Sequence, residues 1–351
     1  MSETVTIDGS LLEGGGQILR VALTLSCLKR IPIRIYNIRA GRSKPGLMEQ
    51  HLKGLELVKD LSNAHVSGAS IGSTEISFSP KEIVGGTFNA FVKTAGSISL
   101  LLQVALPCAL FAQSPINLRL RGGTNAEMAP QVDYMTEVFR PVLEKFGATF
   151  DFELVRRGYF PKGGGEVAIT IQPVKELKGI HLINPGKVTS ISGWSFVAGA
   201  LPPHISNRMA DSARRMLLKV CRNINIESYK EDRNVAVDNA SGIILTAYTD
   251  TECILGADAL GKRNESPEKT GERASEMLLK NMDQQTCVDS HCQDQIIIFM
   301  ALASGPSSVK TGEITLHTKT AIYVVETLTK VKFNVETLET GGNIIHCTGS
   351  R

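Results

Sequence analysis

The sequence predicts a mixed α/β protein whose large domain, residues 1–184 and 281–351, is interrupted by a smaller inserted domain, residues 185–280. Three observations carry this expectation. Short alternating strands lead through glycine turns into helical patterns; that punctuation recurs along the first half; and it stops near Asn184.

Taken in order, Val5 and Ile7 alternate with polar neighbours as a strand does. Glu13-Gly14-Gly15-Gly16-Gln17 then makes a turn, and Ile18, Val21, Ala22, Leu25 and Leu28 recur at helical spacing. Ile31, Ile33 and Ile35 form a second strand, Arg39 to Gly46 a polar loop, and Leu47, Leu52, Leu55 and Val58 a second helix. The theme returns at Gly85-Gly86, where a strand is followed by Thr94-Ala95-Gly96-Ser97 and an apolar helix through Gln103. It returns again where the strand Ile116, Leu118, Leu120 meets Gly122-Gly123-Thr124 before a helix from about Ala129. Gly163-Gly164-Gly165 and Gln295–Gly305 repeat it less clearly, so glycine placement and hydrophobic rhythm indicate repeated α/β modules without a fixed period.

Beyond Asn184 come a strand-like piece from Val188 to Phe196 and a basic amphipathic helix from Ile205 to Val220. Strands Ile224–Tyr229 and Ile243–Tyr248 follow, then a polar, charged stretch from Gly261 to Glu276. The helix-like Gln293–Ala303 and a strand-helix-strand run from Ile314 to Val335 read as a return to the first domain.

Bulk properties narrow the function classes. With 42% hydrophobic and 21% charged residues the 351-residue chain can bury a substantial core. A formal charge of +3 is too small for a protein that coats nucleic acid by charge alone, so affinity for phosphate must be local. Seven cysteines form no CxxC pair and no zinc-site spacing, which points to a reducing compartment. No secretory signal is legible, and the longest apolar stretch, Ile98 to Phe111, is broken by Gln103 and Pro107 and falls short of the ~20 residues of a bilayer span. No membrane association is expected, and there is no DNA-specific motif.

Candidate chemistry centres on histidine, arginine and glycine. Histidines 65, 181, 204 and 346 have no glycine loop or charge cluster nearby and read as surface or structural residues. His317 lies in Gly312-Glu313-Ile314-Thr315-Leu316-His317-Thr318-Lys319-Thr320-Ala321, where a strand is expected to end and a helix, Ala321 to Leu328, to begin. Such a junction favours anions, although from spacing alone a single strand-end histidine is more often an ordinary structural residue. Arg39-Ala40-Gly41-Arg42-Ser43-Lys44-Pro45-Gly46 puts three cations on a short loop suited to gripping phosphate oxygens. Arg20, just after the Gly14–Gly16 loop, taken alone reads as a solvated helix cation. Arg157-Gly158 to Gly165 is a second glycine-rich turn with cations, and by itself it is also a plain hairpin. No Walker loop or completed dinucleotide fingerprint is present, which disfavours a kinase or general ATPase.

Glu13-Gly-Gly-Gly-Gln-Ile-Leu-Arg20, Arg39-Ala-Gly-Arg42-x-Lys-Pro-Gly-Leu, Gln50-His51, Ala95-Gly-Ser97 with Gln103, Gly122-Gly-Thr124, Arg157-Gly-x-x-Pro-x-Gly-Gly-Gly165, Asp294-Gln295 and His317-x-x-Thr320 follow one another in the order found in a known family. Through them the chain resembles the RNA 3′-terminal phosphate cyclases over nearly its whole length. The resemblance implies a large domain of three repeated βαβαββ units related to the fold of enolpyruvyl transferases, with a small α/β insertion of thioredoxin-like topology. It also implies an enzyme that uses ATP to convert an RNA 3′-phosphate to a 2′,3′-cyclic phosphodiester, with His317 carrying an adenylyl group.

By the same resemblance Arg20, Arg39 and Arg42 bind phosphate oxygens of ATP or RNA. Glu13 and Asp294 are candidates to hold a divalent metal, Mg²⁺ or Mn²⁺, or the adenosine ribose, and to orient His317. Gln50, His51, Gln103 and Gln295 supply hydrogen bonds, the first two on the RNA side, and Pro130 packs against adenine. One departure stands out: Ser290-His291-Cys292 occupies the place where family members can carry an aromatic residue before the Asp-Gln pair, so the stacking contact to adenine is expected to be either weaker or replaced by His291, with Cys292 an ordinary buried thiol. The rival readings are a non-catalytic relative acting in ribosome assembly, which lacks the histidine, and an enolpyruvyl transferase, which needs no covalent histidine. Eukaryotic relatives imply the nucleoplasm, with the cytosol as the fallback.

Overall fold

The computed structural model describes residues 3–236, 238–339 and 341–350. The first unit runs β1 (Val5–Asp8), α1 (Gly16–Lys29), β2 (Ile33–Tyr36), α2 (Glu49–Leu61), β3 (His65–Ser67) and β4 (Ile76–Ser79). Its sheet has the order β1-β2-β4-β3. β1 and β2 are parallel, as a connection through a helix demands, and the other pairings are antiparallel.

The second unit begins with β5 (Gly86–Phe91), α3 (Ile98–Ala109) and β6 (Ile116–Gly122). A continuous helical run follows, α4 (Val132–Tyr134), a π turn (Met135–Phe139) and α5 (Arg140–Lys145), then β7 (Asp151–Arg156) and β8 (Gly165–Ile171). Its sheet order is β5-β6-β8-β7, again with only the first pair parallel. α3 is buried on nearly every face, which is why it is apolar apart from Ser99 and Gln103; Pro107 lies in its last turn.

β9 (His181–Leu182) opens a third sheet and is followed by β10 (Val188–Ala198), α6 (His204–Leu217), β11 (Ile224–Lys230), β12 (Ala240–Thr249), β13 (Ile254–Leu260) and α7 (Pro267–Asp283). Only then come α8 (Ser290–Leu302), β14 (Ser307–Thr311), α9 (Leu316–Leu328), β15 (Phe333–Thr337) and β16 (Asn343–Cys347). The third sheet is ordered β15-β16-β14-β9, with β9 and β14 parallel. Read from β9 it has the connectivity of the first two sheets, with everything from β10 to α7 placed between its first strand and its helix.

β11-β10-β12-β13 form a separate sheet. One of its faces packs against α6 and α7 through a cluster that includes Ile191, Leu217, Ile243, Leu255 and Leu278. Elsewhere Phe196 stacks on Tyr159 with ring centroids 6.0 Å apart. Gly256 of β13 lies so close to Tyr134 and Val138 that a Cβ there would come within 2.6 Å of the valine, which is why glycine occupies that position.

Local expectations are corrected in three places. The charged stretch 261–276 is mostly helix, because Ser266 caps α7 and Pro267 begins it, and the polar face of an exposed helix masks its period. α9 starts at Leu316, not Ala321, because the Thr315 hydroxyl accepts the Thr318 N–H; β14 already ends at Thr311. Arg157 leaves the phosphate candidates: it is 8% exposed and bonds both oxygens of Asp133, at 2.6 and 2.8 Å, and Glu231 at 2.9 Å. No helix among the described residues is long and apolar enough to cross a membrane.

Candidate active site

A cleft of about 1120 Å³ opens where α1, α2, α3, α8, α9 and β13 converge. Glu13, Arg20, Arg39, Arg42, Gln50, His51, Gln103, Pro130, Asp294, Gln295 and His317 all line it, so the residues to which the family motifs give a role lie on one surface, whereas Lys44 of the cationic loop does not line it. His291 joins them. The Arg157–Gly165 hairpin does not line it.

The glycine run builds one wall. Gly14 takes φ +60°, a left-handed turn that glycine adopts without steric cost. A Cβ on Gly16 would sit 2.7 Å from His51 Nε2 and 3.0 Å from Arg20 Nη1, so the bare backbone is what lets those two side chains converge. Glu13 is tied on both oxygens: Oε2 accepts the Gly15 N–H at 2.8 Å, and Oε1 pairs with Arg42.

The cations are under-neutralised. Among the described residues neither Arg20 nor Arg39 has a carboxylate within 4.0 Å. Arg39, itself at φ +55°, donates to the carbonyls of Lys44 and Gly46 at 2.7 and 2.8 Å. Burial, then the neighbouring Arg42 charge, pulls its guanidinium below its ordinary pKa. Burial does the same to Arg20, opposed by Asp294 and Glu13. Arg20 is therefore a cleft cation held against its desolvation cost, not the solvated helix cation its position suggests, and such a charge is stabilised by an anion.

His51 adds a neutral donor. Its Nδ1 accepts the Met48 N–H at 3.2 Å, which leaves the proton on Nε2, and burial followed by Arg39 and Arg20 lowers its pKa to about 4. Gln50 turns its carbonyl to the Ser97 N–H at 2.6 Å, fixing the start of α3 and with it Gln103.

α8 supplies the floor. Gln17 donates to Asp294 Oδ2 at 2.8 Å and accepts from Arg20, joining α1 to α8. Burial raises the Asp294 pKa, opposed by His317, Arg20 and His291. Gln295 donates to the His291 carbonyl at 2.6 Å, while its buried Oε1 has no donor among the described residues. His291 meets the edge of Tyr134 at 5.7 Å between ring centroids, and Cys292 is fully buried, as expected for an ordinary thiol. Pro130 lies on the loop before α4, anchored by the Gln131 N–H on Asp258 Oδ2 at 3.3 Å.

His317 is the second residue of α9, exposed to the cleft, and among the described residues its imidazole has no hydrogen-bond partner. An imidazole without a hydrogen-bond partner among the described residues, at a helix N-terminus and in the same cleft as Arg20 and Arg39, has a ring nitrogen chemically free to attack an electrophile.

Sequence reasoning missed Gln17, Asp258, Asp289, Tyr134 and Gln293. Asp289 had a legible signal, an Asp immediately before an apolar helical run; it caps α8 by accepting the N–H groups of His291 and Cys292. The others are buried or half-buried polar side chains whose partners lie far away in the chain.

A family model described as RNA 3′-terminal phosphate cyclase matches residues 11–335. A Drosophila melanogaster protein named RNA 3′-terminal phosphate cyclase is 44% identical over 346 residues, covering 98% of this chain and 96% of its own. A protein of the same name from Pyrobaculum aerophilum is 42% identical over 338 residues, with 96% of each chain covered. Another from Methanopyrus kandleri is 38% identical over 334 residues, covering 94% of this chain and 95% of its own. With a family match over most of its length and relatives this similar almost end to end, the chain belongs to the RNA 3′-terminal phosphate cyclase family.

Proposed function

We propose that this protein converts the 3′-terminal phosphate of an RNA to a 2′,3′-cyclic phosphodiester at the expense of ATP, with the adenylyl group carried transiently on His317. The observation that carries the reading is the exposed His317 imidazole, without a hydrogen-bond partner among the described residues, in the same cleft as Arg20, Arg39 and Arg42.

A phosphomonoester cannot cyclise by expelling oxide, so the terminal phosphate must first become an anhydride. In the first step an imidazole nitrogen of His317 attacks the α-phosphorus of ATP, forming a P–N bond as the bond to pyrophosphate breaks. In the second, an oxygen of the RNA 3′-phosphate attacks that phosphorus, the P–N bond breaks, and the imidazole is regenerated. In the third, the 2′-hydroxyl attacks the 3′-phosphate, loses its proton, and AMP leaves. The first and third steps leave negative charge on a departing oxygen, of pyrophosphate and of AMP, and all three pass through a phosphorus centre crowded with charged oxygens. Arg20, Arg39 and Arg42, with the Nε2–H of His51, line the same cleft and are the groups we assign to stabilise that charge. The unpaired Gln295 Oε1 suits a hydroxyl or amine donor of the nucleoside, and Pro130 and His291 offer faces for its base.

Among the described residues no group of three or more His, Cys, Asp and Glu side chains could hold a metal by itself. Glu13 and Asp294, the two carboxylates of the cleft that the family motifs single out, are the groups we would assign to an ion such as Mg²⁺ or Mn²⁺ that keeps waters and takes its other ligands from phosphates. Bound there, the ion would neutralise charge on the pyrophosphate. We take residues 1–184 and 281–351 as the catalytic body and 185–280 as an insertion; the separate hydrophobic cluster under the β10–β13 sheet supports that division.

The test is incubation with α-labelled ATP and a divalent metal, followed by RNA ending in 3′-phosphate. Acid-labile label on the wild-type protein, none on His317→Ala, and phosphatase-resistant RNA ends are expected. An unlabelled wild-type protein would remove the reading.

A further inference from the structure

We infer that Gln293 is a positioning residue for His317, acting through a four-bond tie between α8 and the segment that carries the imidazole. The inference rests on the reading of His317 as the nucleophile.

Gln293 is 1% exposed, and its amide is fully engaged. Nε2 donates to Thr311 Oγ1 and, at 3.2 Å, to the Glu313 carbonyl. Oε1 accepts the Thr315 N–H at 2.9 Å and the Thr318 hydroxyl at 2.6 Å. A primary amide has two N–H donors and two lone pairs, so all four valences are satisfied by one short stretch, Thr311 to Thr318. Two of the bonded residues, Thr315 and Thr318, form the N-cap of α9, where the Thr315 hydroxyl accepts the Thr318 N–H at 3.1 Å. His317 lies between them in that turn.

The neighbouring residue explains what the tie accomplishes. Asp294 accepts from Gln17, and Gln17 accepts from Arg20. Successive residues of α8 thus hold the two sides of the cleft, Gln293 the histidine's turn and Asp294 the phosphate-facing side of α1. α8 thus adds a side-chain tie to each of the two helices, α1 and α9, which also pack directly against each other, with the Glu13 N–H on Thr320 Oγ1 at 3.2 Å. His317 makes no hydrogen bond of its own among the described residues, so its placement depends on the backbone that Gln293 fixes. A displacement of about 1 Å in a reacting group can cost about a hundredfold in rate.

Gln293→Met keeps the length and apolar stem while deleting all four bonds, and Gln293→Glu keeps the acceptor oxygen facing Thr315 and Thr318. Adenylylation is followed as acid-labile label from α-labelled ATP over a range of ATP concentrations, alongside thermal unfolding and the folded fraction. Gln293→Met should lower the maximal rate per folded molecule at least about tenfold while the ATP concentration for half-maximal rate changes by less than about threefold, and Gln293→Glu should recover much of the loss. A Met variant labelled at the wild-type maximal rate, or one whose deficit lies in ATP affinity, overturns the inference and leaves the nucleophile reading standing. If Gln293→Met loses rate only in step with its folded fraction, the residue is merely structural and the inference fails. A wild-type protein that takes up no label overturns both.

Discussion

Replacing Asp289 by alanine should be among the most damaging single changes outside the reacting groups. Its carboxylate is fully buried and accepts four donors: the Tyr134 hydroxyl at 2.6 Å, the Gly256 N–H at 2.7 Å, and the N–H groups of His291 and Cys292 at 2.9 and 3.0 Å. Loss of the helix cap costs about 1 kcal/mol. The tyrosine hydroxyl and the glycine N–H, left buried without acceptors, cost roughly 1–3 kcal/mol each. Relief of the carboxylate's own desolvation offsets part of this, so about 3–5 kcal/mol is expected. Asp289→Asn can keep three donors on one oxygen and must then point its NH₂ at the Gly256 N–H, for about 1–3 kcal/mol. Tyr134→Phe deletes a single donor and should cost about 1 kcal/mol. Urea unfolding at pH 7, followed by the fluorescence of Trp194 and by circular dichroism, should rank the variants wild type, Tyr134→Phe, Asp289→Asn, Asp289→Ala. An Asp289→Ala midpoint corresponding to less than about 0.5 kcal/mol would refute the reasoning, since changes that small belong to surface positions.

His317→Ala should abolish label uptake and leave the unfolding curve unchanged, because the imidazole is exposed and unbonded among the described residues. Arg42→Ala should cut turnover while shifting unfolding little, since its pairing with Glu13 is part-exposed, with the arginine side chain 39% accessible; comparison of kcat with the urea midpoint checks it. His51 is harder to protonate folded than unfolded, so the unfolded chain binds more protons between pH 6.5 and about 4. Its contribution is thus fully present above pH 6.5 and falls as the pH drops toward 4, and His51→Gln should flatten the urea midpoint against pH in that window. Arg157→Ala strands Asp133 and Glu231, whose side chains are 12% and 9% exposed, and should destabilise by about 3–5 kcal/mol in the same assay.

The strand, glycine turn and helix at the start of the chain, the cationic loop from Arg39 to Gly46 and the catalytic candidates were readable because they are local. Periodic apolar residues, a turn that needs no Cβ and a run of charges all declare themselves within a few positions. Family motifs extended that reading to Glu13, Gln103 and Asp294, though not to what each touches. What local pattern could not show was the side of the fold on which a polar residue lies. Arg20 and Arg157 read alike as helix or hairpin cations, yet packing places the first in the cleft and closes the second between two carboxylates. Gln17 meets Asp294 across 277 positions, and Gln293 reaches the turn of His317 only because α8 lies against it. The sequence by itself determined the fold class, many of the strands and helices and which family the chain resembles, since backbone hydrogen bonding and apolar periodicity act over short range. Tertiary structure alone decided which buried amides and carboxylates find partners, because those bonds form only after distant helices pack and exclude the water that would otherwise satisfy them.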